Sequence, residues 1–290
     1  FGSRVAQACC SCVGQCVSHP YRENFLVREL KMQPVKMLIF GDSLVRSHVA
    51  DLKTWPELLA ERLDFPSINA AIPGCDSTRL SLQLDLLMQL LEETGATVHE
   101  DAWALIHSGG NDIISSVQSD FLGLVTSAAG SALCCCSPCC CKIKTMEEAA
   151  KNIEDLVVRL NEELGIHNVI LVGPPITPNF PLVGQILHVA FGGKRCLFWM
   201  MHLVVRRANS IYNRRLARIL RPFRKSPCDD TAHGVVLDEA NAIDACIDGN
   251  VLTIEEMWAD PVHLSQAGHE AIAEEMLIRW RRSAGTSIPE

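Results

Sequence analysis

Apolar residues recur along this chain in two alternating spacings, and the alternation predicts its elements. Val35, Met37, Leu38, Ile39 and Phe40 form a run too short for a helix and apolar on both sides, which predicts a strand buried on both faces. Thr54-Trp55-Pro56-Glu57 combines a cap, an early proline and a reciprocal glutamate, so a helix begins there, with Leu58, Leu59 and Leu63 as its buried stripe. Ser67 to Ile72 predicts a second strand. Thr78 to Glu93, dense in leucine, predicts a core helix stopped by Gly95. Trp103 to Ile106 is a third strand. Thr145 and Glu148 form another capping box, after which Ala149, Ile153, Leu156, Val157, Leu160 and Leu164 repeat at helical spacing until Gly165. Asn168 to Val172 and Gly234 to Asp238 predict two more strands. A helical period runs from about Cys196 to Leu220, and Ser265 caps a last helix reaching about Trp280.

Strand and helix alternate throughout, which implies right-handed crossovers and a parallel sheet covered on both sides. The expected architecture is α/β, a three-layer α/β/α sandwich with a mostly parallel central sheet over residues 35–282. Residues 1–34 and 283–290 are expected to be tails, and 113–144 and 178–205 insertions. Within the second insertion Leu182 to Val205 is strongly apolar but broken by Gly192, Gly193, Lys194 and Arg195, which suggests a lid or packed hairpin. Phe121 to Cys141 carries no charge over 21 positions, long enough to span a bilayer. Such a span would put strands of one sheet on opposite sides of a membrane, so a surface loop, or a loop touching membrane through acylated Cys134 to Cys141, remains.

Composition narrows the function. The formal charge of −8 excludes a general nucleic-acid binder, which needs a surplus of Lys and Arg. Of the 14 cysteines, ten fall in two knots, Cys9, Cys10, Cys12 and Cys16, then Cys134 to Cys136 with Cys139 to Cys141. Neighbouring cysteines do not readily bridge, neither knot has the even spread of a secreted disulfide framework, and Cys9, Cys10, Cys12 and Cys16 lack orthodox zinc-ligand intervals. An intracellular setting, cytoplasmic or at a membrane surface, is the expectation. Arg207, Arg214, Arg218, Arg221 and Lys225 share a face opposite Ala208, Tyr212, Leu216 and Ile219. That face is either solvated or set against anionic lipid headgroups.

The candidate chemistry sits where predicted strands end in glycine turns. Gly41-Asp42-Ser43-Leu44 follows the first strand, Pro73-Gly74-Cys75-Asp76-Ser77 the second, and Gly109-Gly110-Asn111-Asp112 the third. Open α/β sheets place their chemistry at these carboxyl ends. A serine hydroxyl needs a base, and His263 offers an imidazole, a group whose ordinary pKa is near 6.5. Asp260, three residues earlier, is close enough to hold the other ring nitrogen. Each of these residues alone could be a cap or a surface group. Cys75 as a nucleophile, and a metal on Asp260, His263 and His269, are weaker rivals.

Together the turns Gly41-Asp42-Ser43-Leu44, Gly74, Gly109-Gly110-Asn111-Asp112 and Asp260-Pro261-Val262-His263 resemble, in order and separation, the SGNH/GDSL hydrolase family. Trp55-Pro56-Glu57-Leu58-Leu59, Gly173-Pro174-Pro175 and His263-Leu264-Ser265-Gln266-Ala267-Gly268-His269 look like its accessory sequences. The resemblance implies a flavodoxin-like SGNH fold and a serine esterase or lipase, with neither cofactor nor metal. It further implies Ser43, Asp260 and His263 as catalytic residues, and the amides of Ser43 and Gly74 with the Asn111 carboxamide as the oxyanion hole. The expected partner is a small-molecule or lipid ester. A thioesterase or lysophospholipase at a membrane, or a catalytically idle lipid-anchored interaction protein, are the alternatives.

Overall fold

A computed structural model describes residues 33–47, 52–112, 137–175, 177, 179–181, 195–221 and 234–283, and at 137–146, 195–205 and 208 the backbone alone. Five strands, β1 (Val35–Phe40), β2 (Ser67–Asn69), β3 (Val98–His107), β4 (Asn168–Gly173) and β5 (Gly234–Asp238), form one sheet in the order β2-β1-β3-β4-β5. Every pairing is parallel. The helices are α1 (Trp55–Arg62), α2 (Leu80–Thr94), α3 (Ser137–Leu164), α4 (Arg195–Ile219), α5 (Glu239–Asp248), α6 (Ile254–Met257) and α7 (Gln266–Ser283), and a 3₁₀ turn at Ser77–Arg79 leads into α2.

The three layers follow from side-chain alternation along the strands. Met37 and Ile39, Trp103 and Leu105, and Ile170 and Val172 face one way, against Trp55 and Leu59 of α1, Ile243 of α5 and Ile272 and Met276 of α7. Leu38 and Phe40, Ala104 and Ile106, and Val169 and Leu171 face the other, against Leu84 of α2, Ile153 and Leu156 of α3 and Tyr212 and Leu216 of α4. A sheet buried on both faces needs continuously apolar strands, and β1 and β4 are such strands.

Capping fixes where the helices start and stop. Glu57 Oε2 accepts the Thr54 amide at 2.8 Å, as the capping box requires. Gly95 closes α2 in the left-handed region, and Gly165 follows α3 with φ 66°.

Several expectations are corrected. Helix α3 begins at Ser137, eight residues before Thr145, so 137–144 belong to a helix and not to an inserted loop. Ser137-Pro138 is itself a helix-start signal, which the apolar cysteine run obscured. Arg195 to Val205 is the first part of α4 rather than half of a hairpin, and the glycine pair before it lies outside the described residues. Strand β3 starts at Val98, which pairs with Val35, and a register shift then carries the chain through exposed Glu100 and Asp101 before pairing resumes at Trp103, so no apolar pattern marks its first part. Strand β2 ends at Asn69, short of Ile72. Helices α5 and α6 were unexpected, although Asp238 caps α5 by accepting the Asn241 amide at 3.1 Å. The N-terminal cysteine knot, Cys134 to Cys136, and Lys225 lie outside the described residues.

Candidate active site

Register brings the strand ends together: Phe40 lies opposite Ile106, His107 opposite Val172 and Gly173 opposite Asp238. The turns after β1 and β3 therefore open on the same edge of the sheet, and close approach makes glycine necessary there. A Cβ on Gly41 would stand 2.4 Å from the His107 carbonyl oxygen. Gly109 has φ 102°, and a Cβ on it would meet the Tyr212 hydroxyl at 2.5 Å.

The turn carrying Ser43 is held from three sides. Gly41 gives its N–H to Gln83 Oε1 at 2.9 Å, and its carbonyl accepts Gln83 Nε2 at 2.7 Å, so a helix on one face of the sheet clamps the backbone just before the serine. Asp42 Oδ1 accepts the Leu44 amide at 2.9 Å, tightening the turn. At its far end, the Val45 carbonyl accepts Asn69 Nδ2 at 2.7 Å and Thr54 Oγ1 at 2.9 Å. Ser43 is half-buried.

His263 reaches the serine from the other end of the chain. An antiparallel bridge between Trp258 and Leu264 closes the base of its loop, and Trp258 packs on Phe180 with ring centroids 5.0 Å apart. Asp260 Oδ1 accepts the backbone N–H groups of Val262 at 2.7 Å and of His263 at 2.8 Å. Its Oδ2 lies 2.8 Å from His263 Nδ1, and Nε2 lies 3.1 Å from Ser43 Oγ. With Nδ1 protonated toward the carboxylate, Nε2 is the acceptor and the serine hydroxyl donates to it. Partial burial works against the Asp260 charge, but the hydrogen bonds from the His263 side chain and the two amides outweigh it and hold the carboxyl below its ordinary range.

The other expected residues lie at the same edge. Gly74 has φ 76° in a tight turn closed by the Cys75 amide on the Ile72 carbonyl at 3.2 Å. Asn111 gives both amide hydrogens away: Nδ2 lies 2.8 Å from the Cys75 carbonyl oxygen and 3.3 Å from Asp42 Oδ2. Asp112 braces the loop, accepting Ser77 N at 3.0 Å and Ser77 Oγ at 2.6 Å. Cys75 is buried. His269 is committed elsewhere: its Nδ1 accepts the Trp55 amide at 3.1 Å, and burial, with the nearby His263, lowers its pKa to about 4.

The chain belongs to the GDSL-like lipase/acylhydrolase family, whose model matches residues 37–276. Among solved structures it is similar to the lipase Lip_vut3 from a goat rumen metagenome, at 17% identity over 87% of this chain and 98% of that one, with a TM-score of 0.53. It is also similar to TesA, at 17% identity over 85% of this chain and 98% of that one, with a TM-score of 0.46. No curated protein matches it significantly. A member of this family is a hydrolase, and the all-parallel five-stranded sheet between two helical layers agrees with the family's fold.

Sequence reasoning missed one cluster beside these candidate residues. His107 is fully buried, with Nε2 2.6 Å from Glu239 Oε2, and its Nδ1 is 3.9 Å from Asp42 Oδ1 with no hydrogen-bond partner. Burial alone would lower the His107 pKa, but the charge and hydrogen bond of Glu239 raise it. Asp42 is raised by burial, against the pull of His107. His107 is the last residue of β3 and Glu239 the first of α5, and no spacing in the sequence joins them.

Proposed function

We propose that this hydrolase cleaves a carboxylic ester through an acyl-enzyme on Ser43. Ser43 Oγ attacks the carbonyl carbon as its proton passes to His263 Nε2, and Asp260 steadies the imidazolium through Nδ1. The carbonyl oxygen, now negative, is held by the amides of Ser43 and Gly74 and by the Asn111 carboxamide. Collapse of the adduct expels the alcohol, which takes its proton from His263. Water then attacks the acyl group with the same base and restores the serine. Support for the reading comes from one observation above the rest: a continuous relay of 3.1 Å and 2.8 Å from hydroxyl to imidazole to carboxylate. A thioester or lysophospholipid would use the same relay, and an acyl-length series on p-nitrophenyl esters and acyl thioesters separates these substrates.

The test is Ser43→Ala against a p-nitrophenyl acyl ester, paired with a fluorophosphonate probe. Turnover and labelling should both vanish in the variant while its melting temperature stays within a few degrees; retained turnover rejects Ser43 as nucleophile. A wild-type protein that is not labelled yet binds anionic liposomes tightly would instead be the lipid-anchored interaction protein. Contact with a membrane surface has its own support in Arg207, Arg214 and Arg218, all exposed on α4. No described helix is long and apolar enough to cross a membrane.

A further inference from the structure

Asn111 poses a problem for acyl transfer as proposed above. Both its amide hydrogens are already given to acceptors, the Cys75 carbonyl at 2.8 Å and Asp42 Oδ2 at 3.3 Å. To meet an oxyanion it must release one, and the longer bond to Asp42 is the weaker. Asp42 is 3% exposed, so water does not replace the lost donor, and an unpaired buried carboxylate oxygen is costly. The cost would also fall at the worst moment, beside a second negative charge as it forms.

The same carboxylate has a neighbour with unused capacity. His107 Nδ1 is buried, lacks a hydrogen-bond partner and stands 3.9 Å from Asp42 Oδ1. Its ring is anchored on the far side by Glu239 at 2.6 Å and edged by Trp55, with ring centroids 6.5 Å apart. An imidazole flanked by two carboxylates carries protons on both nitrogens, and a movement of about 1 Å by Asp42 would bring Nδ1 within hydrogen-bonding distance.

We propose that His107, anchored by Glu239, is a positioning residue for the reaction: its Nδ1 takes up Asp42 as Asn111 turns its amide from Asp42 to the oxyanion. The proposal rests on the reading of Ser43 as nucleophile and Asn111 as oxyanion donor. Neither His107 nor Glu239 touches substrate. They act by letting Asp42 change partners within a closed set of hydrogen bonds, so that Asn111 is freed without stranding a charge.

A double-mutant cycle tests it. His107→Gln keeps an amide nitrogen near the Nε2 position, for Glu239, and removes Nδ1. In the otherwise native hydrolase it should lower kcat about tenfold with KM unchanged, and on an Asn111→Ala background it should cost nothing further. Equal losses on both backgrounds, a loss confined to KM, or no loss at all overturns the proposal. A trifluoromethyl ketone, which forms a tetrahedral oxyanion on a serine, should bind His107→Gln about tenfold more weakly, while the product carboxylate binds as before. If His107→Gln does not fold, Glu239→Gln, which removes the charge and keeps the contact, should show the same dependence on Asn111 at about threefold. Turnover by Ser43→Ala would defeat the nucleophile reading, whereas a silent Ser43→Ala with an additive cycle defeats only the present inference.

Discussion

Two histidine–carboxylate pairs flank the turn after β1, and they differ chiefly in their access to water. His263 and Asp260 have side chains 35% and 49% exposed, on a loop tied down by its own amides. His107 and Glu239 are 0% and 1% exposed, between the end of β3 and the start of α5. On the proposed mechanism the open pair trades protons with substrate and solvent, so its value is kinetic. The closed pair is cut off from both, and its value lies in the geometry it enforces and in the penalty for disturbing it. Similar groups at similar separations thus do different work according to the dielectric around them.

Substitutions on the two sides should separate these roles. His263→Ala should lower kcat by about 10⁴-fold or more, as loss of a general base does, while thermal unfolding stays nearly unchanged. Steady-state kinetics beside calorimetry checks both halves. The reverse is expected of Glu239→Leu. Leaving His107 buried and unpaired should cost about 3–5 kcal/mol, which lowers Tm by roughly 10 °C in a domain of this size. A Glu239→Leu protein melting with the wild type would erase the contrast.

His269 gives an intermediate effect whose direction follows from its burial. In the unfolded chain its imidazole takes up a proton near the ordinary value of about 6.5, whereas in the fold the value is about 4. Between those limits the unfolded state binds more protons, so stability falls as pH drops from about 6.5 to about 4 and changes no further below that. The contribution is on the order of 3 kcal/mol. Denaturant unfolding of His269→Asn, which keeps an acceptor for the Trp55 amide, should show that much less acid sensitivity. The smallest expected change is the stability cost of Asp260→Ala. A half-exposed ion pair contributes about 1 kcal/mol or less, so urea midpoints should barely move even as turnover collapses.

Much of this arrangement is legible in the chain. Gly41-Asp42-Ser43, Gly74 and Asn111 announce themselves because strand ends are marked by apolar runs breaking into glycine, whereas Asp260 and His263, on a loop between two helices, were legible only through their three-residue spacing and their likeness to a family motif. Glu239 was invisible for the opposite reason. It follows β5 without a glycine, and its partner lies 132 residues away in sequence, so only the folded register joins them. The extra turns of α3 were hidden by cysteines whose apolar character has no period. Strand β3 begins before its apolar core, across a register shift against β1 that leaves no mark in composition.

The clamp of Gln83 on Gly41 carries a warning for anyone reading variants of this hydrolase. A glutamine in the first turn of a leucine-rich helix bonds both the amide and the carbonyl of the residue two before the serine. Exchange it for leucine and the Gly41 amide is left orphaned, its carbonyl keeping only the Ile72 amide at 3.1 Å, although no residue of the proposed relay has changed. In a screen that scores only survival of activity, such a lesion would pass for damage to the machinery itself.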